Sequence, residues 1–201
     1  MAAHQTAGRG RLNRVWEAPP DASLLMSILL RPDLAIERMH LVTAAVGLAA
    51  ADACESVAGF RPGLKWPNDL VVEDRKLAGV LAEAALPAVV VGIGINVNWD
   101  TDVPSGGVAA NQVAGRPVDL EALLGALLDR LSVRYGDWEG VARDYRRGSA
   151  TIGREVRVDV ADESFTGTAA DITDDGHLLV DVGMCLRTVT AGDVVHLRPL
   201  G

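Results

Sequence analysis

The chain has 201 residues, of which 49% are hydrophobic, 23% charged and only 4% aromatic, and its formal net charge is -8. That length suits one main domain with room for a small second one and a core of Ala, Val and Leu, while the acidic balance argues against wrapping a nucleic-acid backbone, which is bound through many Lys and Arg contacts. Cys54 and Cys185 stand in no redox or metal-like spacing, which points to a reducing cytoplasm, and the longest uncharged apolar run, Met39 to Ala51, has 13 residues, too few to cross a bilayer.

Gln5-Thr6-Ala7-Gly8-Arg9-Gly10-Arg11-Leu12-Asn13-Arg14 places three guanidinium groups and two glycines on one stretch, with no acidic residue before Glu17. On an exposed loop this composition reads as an anion grip, because Arg offers a fixed fork of donors and Gly lets backbone N–H groups come close to a ligand. A solvated basic loop is the plainer alternative. Trp16 to Pro20 is stiff and extended, and Ser23 to Leu30 is a strand closed by Arg31-Pro32-Asp33. Leu34 to Val57 carries apolar residues at helical spacing and ends at Gly59 and Pro62, giving one long helix packed on a sheet, with His40 read as a surface or core-edge histidine.

Next comes Leu64-Lys65-Trp66-Pro67-Asn68-Asp69-Leu70, then a strand Val71 to Glu73, a turn at Asp74-Arg75, the run Lys76 to Ala85, and a buried strand from Ala88 through Asn98. Strands joined by short turns after one long helix predict an α+β layer, a mixed or antiparallel sheet packed on helices, rather than a doubly wound nucleotide fold. Trp99 to Arg116 reads as loop. Asp119 is an N-cap for an amphipathic helix through Trp138 that buries Leu120, Leu123, Leu124, Leu127, Leu128 and Leu131, and a second helix covers Val141 to Arg147. Beyond Thr151 the period changes to two, with Val156, Val158 and Val160 alternating with Arg157 and Asp159, a turn at Asp174-Asp175-Gly176, and strands at Leu178 to Val180, Arg187 to Thr190 and Val194 to Leu197. These predict a small β-barrel whose charged residues are mostly acidic and which binds no nucleic acid. The expected division is 1–149 and 150–201.

Lys65-Trp66-Pro67-Asn68-Asp69 sets an ammonium, an amide and a carboxylate beside a proline that interrupts strand pairing and an indole that limits access, so these side chains can converge on a pocket. A strand end with a surface lysine is the alternative. Lys76 is a second cation over the same pocket or a solvated turn residue. Gly92-x-Gly94-x-Asn96 lacks the third glycine of a dinucleotide fingerprint, and its glycines are left for close approach by a ligand or by another chain along a sheet edge. No metal-spaced His or Cys cluster is present, and no metal site is expected from the residues.

In that order, Gln-Thr-Ala-Gly-Arg-Gly-Arg, Lys-Trp-Pro-Asn-Asp-Leu, Lys-Leu-Ala-Gly-Val-Leu-Ala-Glu and Gly-Ile-Gly-Ile-Asn-Val resemble the catalytic domain of biotin–protein ligases, and the terminal barrel resembles that family's SH3-like C-terminal domain. The resemblance implies a class II synthetase-like fold that makes biotinyl-5′-adenylate from biotin and ATP with Mg²⁺, and passes biotin to a lysine of a biotin carboxyl carrier protein. Carried over by residue, it implies that Gln5, Arg9, Gly10, Arg11 and Lys65 bind biotin, with Lys65 and Arg11 catalytic, and that Arg14, Trp16, Asn68, Asp69, Lys76 and Asn96 lie around the adenylate. The implied partners are biotin, a carboxylase carrier domain and a weak homodimer, with no membrane and no operator DNA. Asn13 stands where the family commonly has Gly, and Asp21-Ala22-Ser23 replaces its Gly-Ala-Asn. The family's Ser-Thr-Asn segment ahead of Gln5 is expected upstream of Met1; without it the pocket would lack a wall, and an inactive binding protein is the competing expectation. A lipoate-transferring relative is a third, disfavoured by Lys-Trp-Pro-Asn-Asp.

Overall fold

The computed structural model describes residues 1–85, 87–161 and 163–197, and the side chains of all but Asn13 and Ser105 among them. The last four residues of the expected second unit, and its residue 162, lie outside this range.

Five antiparallel strands form the first sheet: β1 (Ser23–Leu30), β2 (Gly63–Lys65), β3 (Asp69–Val72), β4 (Arg75–Ala85) and β5 (Ala88–Asn96), in the order β1-β5-β4-β3-β2. Registered partners share a face of a pleated sheet, so one row reads Leu24, Ile95, Ala78, Leu70 and Leu64. All five are buried. They meet helix α1 (His40–Ala58), where Gly47 lets Leu64 and Leu70 close on the helix backbone: a Cβ there would sit 3.3 Å from Leu64 Cδ2. Each leucine and the isoleucine of this row contributes about 1.5–3 kcal/mol by leaving water.

α1 ends as read, on Gly59 in the left-handed region (φ 84°), but it begins at His40 rather than Leu34, after a 3₁₀ turn at Ile36–Arg38. The span Ile36–Ala58 is long and apolar enough to cross a membrane by composition, yet 72% of its apolar window is buried inside this fold, which explains its apolarity as core. The stretch expected as loop contains a short helix α2 (Ala110–Ala114). The two helices expected here are both present, but the first ends at Arg134 rather than Trp138 and the second begins at Trp138 rather than Val141. Asp119 caps α3 (Leu120–Arg134) by accepting from the amides of Glu121 and Ala122, and Gly136 at φ 99° breaks the chain before Asp137 caps α4 (Trp138–Arg147). Leu123, Leu127 and Leu131 are buried as expected, whereas Leu128 is exposed, because i, i+4 and i+8 already fill the seam against α1.

The second sheet is an antiparallel set, β6 (Glu155–Asp159), β7 (Ser164–Ile172), β8 (Leu178–Asp181), β9 (Leu186–Val189) and β10 (Asp193–His196), ordered β10-β6-β7-β8-β9. It is docked on the first. Trp66, expected to screen a pocket, is instead core at 1% exposure: its Nε1 donates to the Gly176 carbonyl (3.0 Å) and its backbone N–H to Thr151 Oγ1 (3.0 Å). Arg154 pairs with Asp74 in the β3–β4 turn (3.1 Å). That turn is Glu73-Asp74, both at positive φ, one residue earlier than the sequence suggests. The expectation that Gly92 to Val97 forms a sheet edge is corrected here, since β5 lies between β1 and β4 with both edges paired; the edges are β1 and β2.

Candidate active site

The other face of the first sheet is built differently. Its central row runs Leu25, Gly94, Gly79, Asp69 and Lys65 across the five strands, and two residues along lies Ser27, Gly92 and Leu81. Three glycines on one face strip the sheet to its backbone, and a cavity of about 810 Å³ opens over them. That volume falls within the range of small-molecule sites. The basic loop forms its other side. Residues 8–16 fold back on themselves, with Gly10 N–H donating to the Arg14 carbonyl (2.7 Å) and Trp16 N–H to that of Gly8 (3.0 Å). Trp16 then lies on Gly94: a Cβ at 94 would fall 2.7 Å from its Cε2. Leu12 and Asp21 hold positive φ (53° and 58°). Asp21 stands where the resemblance expects Gly, and Asp tolerates the left-handed region better than most residues.

Lys76, from β4, reaches 2.7 Å from Asp69 Oδ1 and stands 5.6 Å from the Trp16 ring centroid, a cation–π distance. Its ammonium would crowd a Cβ at Gly79 (3.1 Å). Asn68 is clamped to β4, donating from Nδ2 to the Val80 carbonyl (2.9 Å), which leaves its Oδ1 to accept from Arg11 (3.2 Å). Arg11 also donates to the Gly192 carbonyl (2.9 Å), Arg14 pairs with Asp193, and Arg9 pairs with Glu83 at 3.2 Å. The second sheet therefore supplies part of the wall through the Gly192-Asp193 turn. Tyr145 of α4 braces the floor, its hydroxyl donating to the Pro67 carbonyl (3.3 Å); burial, then the nearby Asp69 charge, push its pKa up, so it stays a neutral donor.

Gln5, Arg9, Gly10, Arg11, Arg14, Trp16, Asn68, Asp69, Lys76 and Asn96 all line this cavity. Lys65 does not. It ends the glycine row on the outermost strand, near His196 of β10, whose pKa is lowered by burial and then by the Lys65 charge. Of the two cations weighed from sequence, Lys76 is the one at the cavity, because the β3–β4 turn folds it back over the glycines. Asn96 is buried and its amide is spent on the Val108 carbonyl (3.3 Å), so it shapes the loop above the cavity. The Asn residues that fix this loop were not identified from sequence. Asn98 exchanges two bonds with Val118 (2.8 and 2.9 Å), and Asn111 two with Trp99 (3.1 and 3.3 Å). Asn side chains on a segment without periodicity were the available signal.

Four cations meet at one cavity from the loop and the sheet, over a floor of glycine backbone, and three of them, Arg9, Arg14 and Lys76, are paired there with Glu83, Asp193 and Asp69. Such an arrangement can hold two anionic groups together and stabilise charge that develops between them. It offers no Cys nucleophile: Cys54 is buried, with its thiol pushed up to about 12 by burial.

Comparison with known proteins gives a consistent picture. Residues 1–100 match the biotin/lipoate A/B protein ligase family, and residues 151–197 the biotin protein ligase C terminal domain. The chain is 41% identical to a biotin--[acetyl-CoA-carboxylase] ligase of Mycobacterium tuberculosis, over 98% of its own length and 78% of the relative's. It is 28% identical to the bifunctional ligase/repressor BirA of Escherichia coli, where it spans 64% of the relative. Among solved structures, the biotin protein ligase from Aquifex aeolicus in complex with biotin and ATP superposes with a TM-score of 0.87 at 26% identity, covering 98% of this chain and 87% of that one.

Proposed function

Since the chain belongs to the biotin/lipoate A/B protein ligase family, we propose that it activates biotin with ATP as biotinyl-5′-adenylate and transfers the biotinyl group to one lysine of a biotin carboxyl carrier domain. The observation that carries this reading is the convergence of Arg9, Arg11, Arg14 and Lys76 on a glycine-floored cavity. Adenylation brings a carboxylate against a triphosphate, two anions that repel, so positive charge and orientation are what the site must supply. We assign to Lys76, beside the stripped floor, the cation's part toward the biotin carboxylate and the α-phosphate that the resemblance gives to Lys65, with Arg11, fixed by Asn68 and Gly192, across from it. The carboxylate oxygen attacks the α-phosphorus, pyrophosphate leaves, and the acceptor amine then displaces AMP from the mixed anhydride.

Mg²⁺ fits as a companion of the nucleotide. Among the described residues no cluster of three or more His, Cys, Asp or Glu could enclose a metal, and Mg²⁺ bound through triphosphate commonly needs only one or two protein carboxylates. Of the carboxylates that line the cavity, Asp69 on the glycine row would be the one to hold it, and Mg²⁺ bound there would neutralise phosphate charge. The units are proposed as 1–149 for catalysis and 150–201 as the SH3-like partner, acting in the cytoplasm. An inactive binding relative is disfavoured, because loop, floor and cations already meet in one cavity. Purified chain with ATP, Mg²⁺ and labelled biotin is expected to label a carrier domain on one lysine; label that appears only with lipoate would overturn the assignment.

A further inference from the structure

His40 lies at the first turn of α1, outside the cavity, yet it touches the segment that holds two cavity arginines. Its Nε2–H donates to the carbonyl of Thr190. Two residues on, the Gly192 carbonyl accepts from Arg11 Nη2 (2.9 Å), and Asp193 pairs with Arg14. The imidazole is gripped on its other sides: it stacks on Trp66 (centroids 6.0 Å apart, 24° between planes) and meets the edge of His177 from the β7–β8 turn (5.5 Å, 87°). Gly176 passes directly over it, where a Cβ would lie 3.1 Å from His40 Cβ.

We propose that His40 is a positioning residue for the adenylation site, fixing the Thr190–Asp193 turn so that Gly192 and Asp193 keep Arg11 and Arg14 aimed at the cavity. The inference rests on the ligase reading for its kinetic consequence but not for its structural one. The charged and titratable groups facing His40 are His177 and Arg11, with the Thr190 carbonyl. Burial, and then these two groups, hold its pKa below the ordinary value against the raising effect of the Thr190 bond, so at neutral pH the ring is an uncharged donor. Thr190 to Gly192 lie between the ends of β9 and β10, and Asp193 pairs with Asp159 where β10 begins, so the His40 bond acts on the part of the turn outside the sheet ladder.

The test uses the full chain and three substitutions. His40→Phe keeps a ring against Trp66 and removes the donor; His40→Gln restores a donor of similar reach; Asp193→Ala removes the acid at the other end of the turn. In biotin-dependent ATP–pyrophosphate exchange, His40→Phe is expected to lower kcat/KM for ATP about tenfold, chiefly through KM, and His40→Gln to recover most of it. Combined with Asp193→Ala, the His40→Phe loss is expected to be much less than multiplicative, because both act through one turn. Multiplicative losses, or a His40→Gln variant no better than His40→Phe, overturn the proposal. Amide exchange at residues 190–193 keeps the outcomes separate. If the unsubstituted chain shows no exchange activity, the ligase reading fails, while faster amide exchange in His40→Phe still supports the positioning role and an unchanged rate overturns it.

Discussion

Replacing Lys76 by Met separates chemistry from stability in this fold. The side chain keeps its length and loses its charge beside Asp69, Gly79 and the Trp16 ring. Its ion pair with Asp69 is partly exposed, at 40% and 23% of the two side chains, so its contribution to folding is about 1 kcal/mol or less. As a preorganised cation in the transition state, its removal costs about 3 kcal/mol, which is roughly a hundredfold in rate. Lys65→Met is the matched control, the same change on the same sheet face but outside the cavity, and should leave exchange within about twofold. The assay is biotin-dependent ATP–pyrophosphate exchange alongside thermal unfolding. Equal losses for the two lysines, or a Lys76→Met enzyme with more than about a third of normal activity, would refute the assignment of the reacting cation to β4.

Gly94→Ala should push Trp16 off the floor, because the added Cβ would lie 2.7 Å from the indole; weakened biotin binding with altered tryptophan emission is expected, and wild-type affinity would show that the ring need not rest there. Asn98→Ala leaves the N–H and C=O of Val118 without their partners and should cost about 1–3 kcal/mol in chemical denaturation. Acid should loosen the docking of the second sheet. His40 and His196 both sit at the junction with lowered pKa values, chiefly from burial. The undocked state then binds more protons, so docking is fully present above the ordinary histidine value of 6.5 and weakens as pH falls below it; a near-neutral stability profile that stays flat from pH 7 to 5 would contradict this. A thiol reagent should modify Cys185, which is exposed, and spare buried Cys54 until unfolding.

The strands, α1 and the capping of α3 were legible because each depends on local pattern: an apolar run in Ser23–Leu30 closed by Arg31-Pro32-Asp33, a helical stripe closed by Gly59, and Asp119 ahead of a leucine row. The cavity's charge was legible too, since Arg9, Arg11 and Arg14 crowd one loop. The choice between Lys65 and Lys76 was not. They are eleven positions apart on strands of one sheet, and only the strand register together with the side-chain contacts shows that Lys65 ends a row on the outermost strand while Lys76 reaches over Gly79 to Asp69. Trp66 misled for a similar reason: what covers it is Gly176, more than a hundred residues later. His40 was read as a surface or core-edge residue, and its link to Thr190 joins α1 to the turn between β9 and β10, a separation no periodicity encodes.

The most direct measurement is mass spectrometry of small molecules released from purified chain after incubation with biotin, ATP and Mg²⁺ in the absence of any carrier. Biotinyl-5′-adenylate should accumulate to about one equivalent per chain, as expected for an intermediate retained beneath a closed loop. Unchanged biotin and ATP, or an adenylate formed from lipoate but not from biotin, would contradict the role given to the glycine floor and its four cations.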